Sequence, residues 1–310
     1  QLMSGGVTVN DALNAKTSAG ELTLPSPAKI NLMLSVHGKR ADGFHALTSL
    51  VVALGFGDTL TIRPSRAEDV LHCSDPVVPL GPENLVLKAA AAIRERLCRE
   101  VFFEFTLDKQ IPMGAGLGGG SGNAAVALRG MNQLLGVPFS NAELHEIAAE
   151  LGSDCPFFVE SAPALISGRG EVVEPLVASV AAGLRGKRLV LFCPDFAVKT
   201  PWAYECLAAG APKTYEPVAN GAARIERYIQ QGALADLLYN SFEVPVGQKY
   251  LEISTLLEQL RDVGAACLMS GSGSCCFALL EKNGPAAGEI QRIVRDAWGE
   301  TVFWVETSIS

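Results

Sequence analysis

Six of the nine residues from Gly114 to Gly122 are glycine. Glycine loses more backbone entropy on folding than any other residue, so such a density is retained only where the chain needs a left-handed turn or very close backbone approach. The run Pro112, Met113, Gly114, Ala115, Gly116, Leu117, Gly118, Gly119, Gly120 and Ser121 follows a segment of strand character, Val101 to Leu107. It precedes a segment with Ala124, Ala127, Leu128, Met131 and Leu135 at helical spacing. A strand that feeds a helix through such a loop offers free backbone N–H groups and the positive end of the helix dipole to an anion, and phosphate is the natural guest. The loop is not a Walker A sequence, since no Gly-Lys-Ser/Thr follows, and it does not occupy the strand-one position of the dinucleotide G-x-G-x-x-G. The apolar Pro112, Met113 and Leu117 within it argue against a flexible surface linker. Ser121 is expected to cap the helix, with contact to a magnesium ion as the alternative.

Around this loop the chain reads as alternating strands and helices. From Ala28 to Val36 apolar residues alternate with Lys29, Asn31, Met33 and Ser35, the period of a strand, so Lys29 and Asn31 share a face. After the turn-like Gly38 to Gly43, Leu47 to Leu54 reads as its hairpin partner. Asn84 to Leu97 has helical spacing. Ser140 and Glu143 form an S-x-x-E capping box for a helix that stops near Gly152, leaving Asp154 just past its end. Leu165 to Val173 reads as strand and turn, and Ala178 to Arg188 as small-residue linker. Two domains are therefore expected, 21–168 and 169–310, behind a loose tail over residues 1–20.

With 310 residues, 48% of them hydrophobic and 19% charged, the chain has the composition of an ordinary globular protein. A net charge of −8 gives no basic face for nucleic acid. The eight cysteines form no CxxC pair and no Cys/His zinc spacing, and read as reduced thiols in a reducing, cytoplasmic compartment. No apolar run reaches the ~20 residues a membrane helix requires, and an N-terminal tail without arginine is a poor transit peptide.

Three segments together resemble the GHMP kinase family: Pro27 to Leu32 continuing to Arg40 to His45, the loop from Pro112 to Ala125, and Leu151 to Phe157. Shorter likenesses run through Glu83 to Leu85, Gly168 to Glu171, Asn240 to Glu243 and Gly271 to Ser274, so the resemblance covers about residues 25 to 280. The glycine loop alone points to the family at large. The pairing of Pro27-Ala-Lys-Ile-Asn31 with Arg40-Ala-Asp-Gly-Phe-His45 is similar to the branch acting on a cytidine diphosphate sugar alcohol. The resemblance implies an α+β, two-lobed GHMP kinase fold, with an N-terminal lobe like ribosomal protein S5 domain 2 and a C-terminal α/β-plait-like lobe. Its left-handed βαβ crossover departs from the usual hand, and only the resemblance implies it.

The implied activity is transfer of the γ-phosphoryl group of ATP, delivered with Mg²⁺, to an alcohol on a small molecule. The sequence names no protein ligand for the metal. Asp154 matches the family's base, and Lys29 matches the partner that stabilises charge on the attacking oxygen or the transferring phosphoryl. Asn31 is placed to orient substrate hydroxyls. Asn84, Leu85, Lys109 and Met113 match positions on the nucleoside side. Phe44, His45 and Tyr204 match a pyrimidine site, in which aromatic faces stack on the base and His45 reads its edge. Two positions depart from the family. Phe44 stands where tyrosine is usual and lacks its hydroxyl, and Gly122 stands where serine is common, which is expected to loosen the loop. Taken alone, an Asp past a helix is most often a solvated turn residue, and a strand Lys a surface charge. Homoserine or mevalonate kinases are the nearest enzymatic alternative, and a non-catalytic nucleotide- or sugar-binding member is the other.

Overall fold

A computed structural model describes residues 16–18 and 20–310. The tail expected over residues 1–20 lies mostly outside the described residues, but Lys16–Ser18 forms a strand, β1, paired antiparallel with β2 (Glu21–Lys39). β2 and β3 (His45–Ser65) form a hairpin of 19- and 21-residue strands, much longer than the alternation implied. Pro25 and Pro27 hide the first half of β2, because proline is rarely found inside a sheet. A register shift between Pro27 and Lys29 accommodates it, and a second between Asn31 and Met33 closes the short in-register stretch that carries Lys29 and Asn31.

β4 (Val70–Cys73) leads through α1 (Leu85–Leu97) to β5 (Phe102–Asp108), which pairs parallel with β4 and antiparallel with β3. α2 (Gly119–Leu134) and α3 (Asn141–Leu151) join α1 over the same core, where Leu22, Leu60 and Phe105 cluster with Ile93, Leu128, Met131 and Ile147. The capping box at Ser140 forms as read: the Ser140 N–H donates to the Glu143 carboxylate at 2.8 Å, and the Glu143 N–H to the Ser140 hydroxyl.

α4 (Phe157–Glu160) is followed by the hairpin β6 (Ala164–Ser167) and β7 (Val172–Pro175), with β6 paired to β3. The expected 168/169 limit thus falls in the turn of a hairpin that stays in the first sheet. The segment read as linker contains α5 (Ala178–Leu184), because its alanines favour helix and Ala181 and Leu184 find a buried surface. The second sheet begins at β8 (Arg188–Cys193). Then come α6 (Thr200–Ala209), α7 (Val218–Gln231), β9 (Tyr239–Asn240), α8 (Glu243–Lys249) and α9 (Leu251–Asp262). β10 (Cys267–Met269), β11 (Cys276–Leu279), α10 (Ala287–Trp298) and β12 (Phe303–Ser308) complete the chain. The order β10-β11-β8-β12 is antiparallel throughout.

The two sheets share a core. Ile30, Leu32, Val52 and Leu54 from the hairpin pack with Leu189, Leu191, Phe277 and Leu279 from the second sheet. β9 pairs parallel to β2 at Met33 and Leu34, and Ile309 bridges Leu54, so the C-terminal part is tied back to both strands of the hairpin. This is why β2 is buried on both faces from Ala28 to Val36, where alternation alone implied one wet face. Among the described residues, no helix is long and apolar enough to cross a membrane.

Candidate active site

The glycine loop lies between the two sheets and is held from both sides. From the hairpin, the Lys29 N–H donates to the Leu117 carbonyl at 2.9 Å. From the β10–β11 turn, the Cys275 N–H donates to the Ala115 carbonyl at 3.1 Å, and the Ser270 hydroxyl to the Gly116 carbonyl at 3.2 Å. Gly116 (φ +78°) and Gly118 (φ +71°) are left-handed, and neither has room for a side chain. A Cβ at Gly116 would lie 2.3 Å from the Ser270 carbonyl oxygen, and one at Gly118 2.8 Å from the Phe158 ring. Two of the loop's glycines are therefore explained by the fold as much as by any ligand. Leu117 and Ala115 are buried, whereas Met113 is exposed at the cleft.

The structure corrects two expectations here. Gly118, not Ser121, is the N-cap of α2, and it offers no side-chain cap. The first bond of this helix runs from the Gly122 N–H to the Gly118 carbonyl at 2.8 Å. The N–H groups of Gly119, Gly120 and Ser121 have no carbonyl within the helix and are the natural anion donors. Gly122 does not loosen the loop. It is buried inside the first turn of α2, and a Cβ there would meet the Ser26 hydroxyl at 3.2 Å.

Lys29 and Asn31 lie side by side, as the strand period implied. The buried Lys29 ammonium donates to Asn31 Oδ1 at 2.7 Å and lies 3.6 Å from Asp154 Oδ2, whose side chain is 51% exposed. Asn31 Nδ2 donates to the Ser49 hydroxyl at 2.8 Å, and Ser49 donates to the Met33 carbonyl at 2.6 Å. This relay fixes the Asn31 amide so that its oxygen faces Lys29. Gly271 closes the cleft behind the pair, its missing Cβ only 3.5 Å from Lys29 Nζ. Asn240 holds that turn by donating to the Met269 and Gly271 carbonyls at 2.7 and 2.8 Å. Ser49 carries no sequence signal for this role, and the family likeness at Asn240 and at Gly271 does not say that the two meet, since the partners are distant in the chain.

Two cavities meet at Asp154. One, of about 410 Å³, is lined by the glycine loop, Leu85, Lys109, Lys29, Asn31 and Asp154. The other, of about 610 Å³, is lined by Lys39, Phe44, His45, Arg169, Tyr204 and Asp154. Leu47, Ser121, Thr200 and Tyr204 also border both. Of the expected nucleoside-side residues, Asn84 is the one outside this lining. Its side chain caps α1 by accepting the Val86 N–H at 2.9 Å and donates to the Pro79 carbonyl at 2.7 Å. Lys109 borders the first cavity, but its ammonium is already engaged with Asp58 and the Ile111 carbonyl, both at 2.7 Å.

The second cavity is aromatic. His45 stacks on Tyr204 at 4.7 Å, Tyr204 meets Phe242 edge-on, and the exposed Phe44 ring carries the Arg169 guanidinium 4.7 Å above it. The tight turn before Phe44 is locked by Asp42, which accepts the Phe44 N–H at 3.1 Å and pairs with Arg40, an interaction that lowers the Asp42 pKa. Tyr215, which the sequence did not single out, places its hydroxyl 3.2 Å from His45 Nε2. Burial, with Lys39 adding to it, holds the His45 imidazole below its ordinary 6.5. Burial and then the Asp154 charge push the Tyr204 phenol up. Burial pushes the neighbouring Cys155 thiol up to about 12, so it stays a thiol and no nucleophile.

Residues 84–161 match the family of GHMP kinases N terminal domain, and residues 220–300 match GHMP kinases C terminal. The chain is 37% identical over 262 residues to a 4-diphosphocytidyl-2-C-methyl-D-erythritol kinase of Thermodesulfovibrio yellowstonii, covering 83% of this chain and 89% of that one. A crystal structure of 4-(cytidine 5'-diphospho)-2C-methyl-D-erythritol kinase superposes with a TM-score of 0.72 at 31% identity, covering 93% of this chain and 100% of the other. A homoserine kinase of Cytophaga hutchinsonii shares the fold, with a TM-score of 0.66 at 19% identity over 94% of this chain and 96% of its own.

Proposed function

Because this chain belongs to the 4-diphosphocytidyl-2-C-methyl-D-erythritol kinase family of the GHMP kinases, an ATP-dependent group, we propose that it phosphorylates the C2 hydroxyl of that cytidyl sugar alcohol in non-mevalonate isoprenoid synthesis. The observation that carries this reading is the position of Asp154, 3.6 Å from Lys29, where the glycine-loop cavity meets the aromatic one. A nucleoside triphosphate in the first cavity puts its phosphates on the N–H groups of Gly119, Gly120 and Ser121. A pyrimidine in the second stacks among Phe44, His45 and Tyr204, and the methylerythritol reaches back to Asp154.

Phosphoryl transfer asks for in-line positioning, charge neutralisation and a proton acceptor. The Asp154 carboxylate accepts the proton of the attacking hydroxyl. Lys29 supplies a fixed positive charge beside the oxygen on which negative charge develops. Asn31, oriented by Ser49, lines the same cavity and is placed to orient the substrate hydroxyls. Mg²⁺ keeps several waters and needs only one or two protein oxygens beside the phosphates. The Ser121 hydroxyl at the junction fits that demand, and the ion would neutralise charge on the phosphate oxygens.

The test is phosphate transfer from ATP to the cytidyl acceptor, compared with homoserine and mevalonate. Turnover of the first alone is expected, and turnover of either other compound alone overturns the assignment. For the pyrimidine end, Phe44→Ala is expected to raise the acceptor KM by about 5- to 150-fold, the equivalent of ~1–3 kcal/mol of lost stacking, with the ATP KM unchanged. An equal rise in both KM values would remove Phe44 from the acceptor site.

The His45 shift sets the sign of a pH effect. Its folded pKa is lowered, so the fold prefers the neutral ring and the unfolded chain takes up the proton first. This contribution to stability is full above the ordinary 6.5 and is lost as pH falls through that value towards the folded pKa. The acceptor KM is expected to stay flat from neutral pH down to that region and to rise on its acid side. A KM that rises instead towards alkaline pH contradicts recognition by a neutral imidazole.

A further inference from the structure

We propose that Asp58 is a positioning residue for the nucleotide, acting through Lys109 beneath the start of α2. This rests on the nucleotide reading of the glycine-loop cavity. Asp58 sits in β3 with its side chain fully buried, and the Lys109 side chain is 3% exposed. Asp58 Oδ1 accepts the N–H groups of Gln110 and Ile111, each at 2.8 Å, and Oδ2 accepts the Lys109 ammonium at 2.7 Å. Lys109 Nζ also donates to the Ile111 carbonyl at 2.7 Å.

Two of the three ammonium protons are thereby used inside the protein, and the third has no partner among the described residues. Lys109 borders the cavity, and its Nζ is so close to Gly119 that a Cβ there would be only 3.0 Å away. A positive charge is thus held at the positive end of a helix dipole, among N–H donors that have no partner within the helix. That arrangement repels itself unless an anion is present. Asp58 supplies the anion when no ligand does, and it keeps the ammonium in one place with its third proton unspent. A bound phosphate then meets a cation that has already been desolvated and ordered, which lowers the cost of binding. The carboxylate touches neither substrate nor reacting atoms, so its influence on the nucleotide passes through Lys109.

The test is ATP affinity by calorimetry on the full chain. This readout needs no acceptor turnover, so failure of the acceptor assignment leaves it intact. Asp58→Asn keeps an oxygen for the two backbone N–H groups and turns an amide NH₂ towards Lys109. It is expected to weaken ATP binding at least 10-fold, since one charge-assisted hydrogen bond is replaced by a donor–donor contact. Lys109→Met is expected to weaken binding similarly. The double variant should bind ATP no more weakly than Lys109→Met alone, because Asp58 has no route to the nucleotide once the lysine is gone. A purely structural Asp58 would instead lower thermal stability without this non-additivity. ATP binding within twofold of wild type in Asp58→Asn overturns the proposal, as does a double variant weakened by the product of the two single effects. Should Asp58→Asn fail to fold on its buried unpaired lysine, the double variant lacks both charges and is compared directly with Lys109→Met. Equal affinities support the proposal, and a further loss of more than about threefold, well beyond the usual non-additivity error, overturns it.

Discussion

Asp154→Asn is expected to lower kcat by about 10²–10⁴-fold, the range for loss of a positioned proton acceptor, and to leave ATP affinity within about twofold of wild type. The amide is the same size as the carboxylate and cannot take the hydroxyl proton. Its exposed position in the turn after α3 means that the substitution leaves no buried charge unpaired on the aspartate side. Lys29 keeps its 2.7 Å hydrogen bond to Asn31 but loses the carboxylate 3.6 Å away. Single-turnover kinetics with a separate measurement of ATP binding divides chemistry from affinity. A variant with unchanged kcat takes Asp154 out of the proton path, and one that loses ATP binding in step with kcat makes it a nucleotide ligand.

Gly116→Ala should destabilise the protein by about 2–5 kcal/mol, the sum of ~1–2 for an L-residue held left-handed and ~1–3 for overpacking. The new methyl group would sit 2.3 Å from the Ser270 carbonyl, which is backbone and cannot swing away. The loop and the β10–β11 turn must then part, which also breaks the bonds that the Ser270 hydroxyl and the Cys275 N–H make to it. A melting temperature lower by roughly 3–8 °C is expected. Gly120→Ala is the contrasting case. Gly120 lies in the first turn of α2, and the nearest atom to a Cβ there is Leu85 Cδ1 at 4.0 Å. Helix propensity alone raises stability by up to about 1 kcal/mol, so this variant should melt no lower than wild type yet bind ATP more weakly where phosphate must approach the backbone. Equal melting temperatures for the two variants would mean that the loop can separate from Ser270 at no cost.

Much of the local structure was legible along the chain. The capping box at Ser140, the helical spacing after the glycine loop and the shared face of Lys29 and Asn31 each depend on residues within a few positions of one another. A serine in the right region looks like the cap of α2, whereas the left-handed Gly118 starts the helix without one. Alanine-rich sequence between the sheets is ambiguous until Ala181 and Leu184 have a surface to bury against. The prolines of β2 look like strand breakers away from the register shift that accommodates them.

The site divides along the same line. The sequence by itself determined that a strand delivers a glycine loop to a helix and, through order and likeness of its motifs, that the loop belongs to a kinase. What surrounds the chemistry was decided by tertiary structure: Asp154 beside Lys29, Ser49 beneath Asn31, Asn240 holding Gly271, Tyr215 against His45, Asp58 against Lys109. Apart from the motif likeness that paired Asp154 with Lys29, these pairings leave no periodic trace, because a hydrogen bond between residues remote in sequence depends only on where the two sheets bring their ends together. The same holds for the glycines. Composition marked the loop as a place of close approach, but only the packed structure distinguishes a glycine excluded by Ser270 from one left open for phosphate.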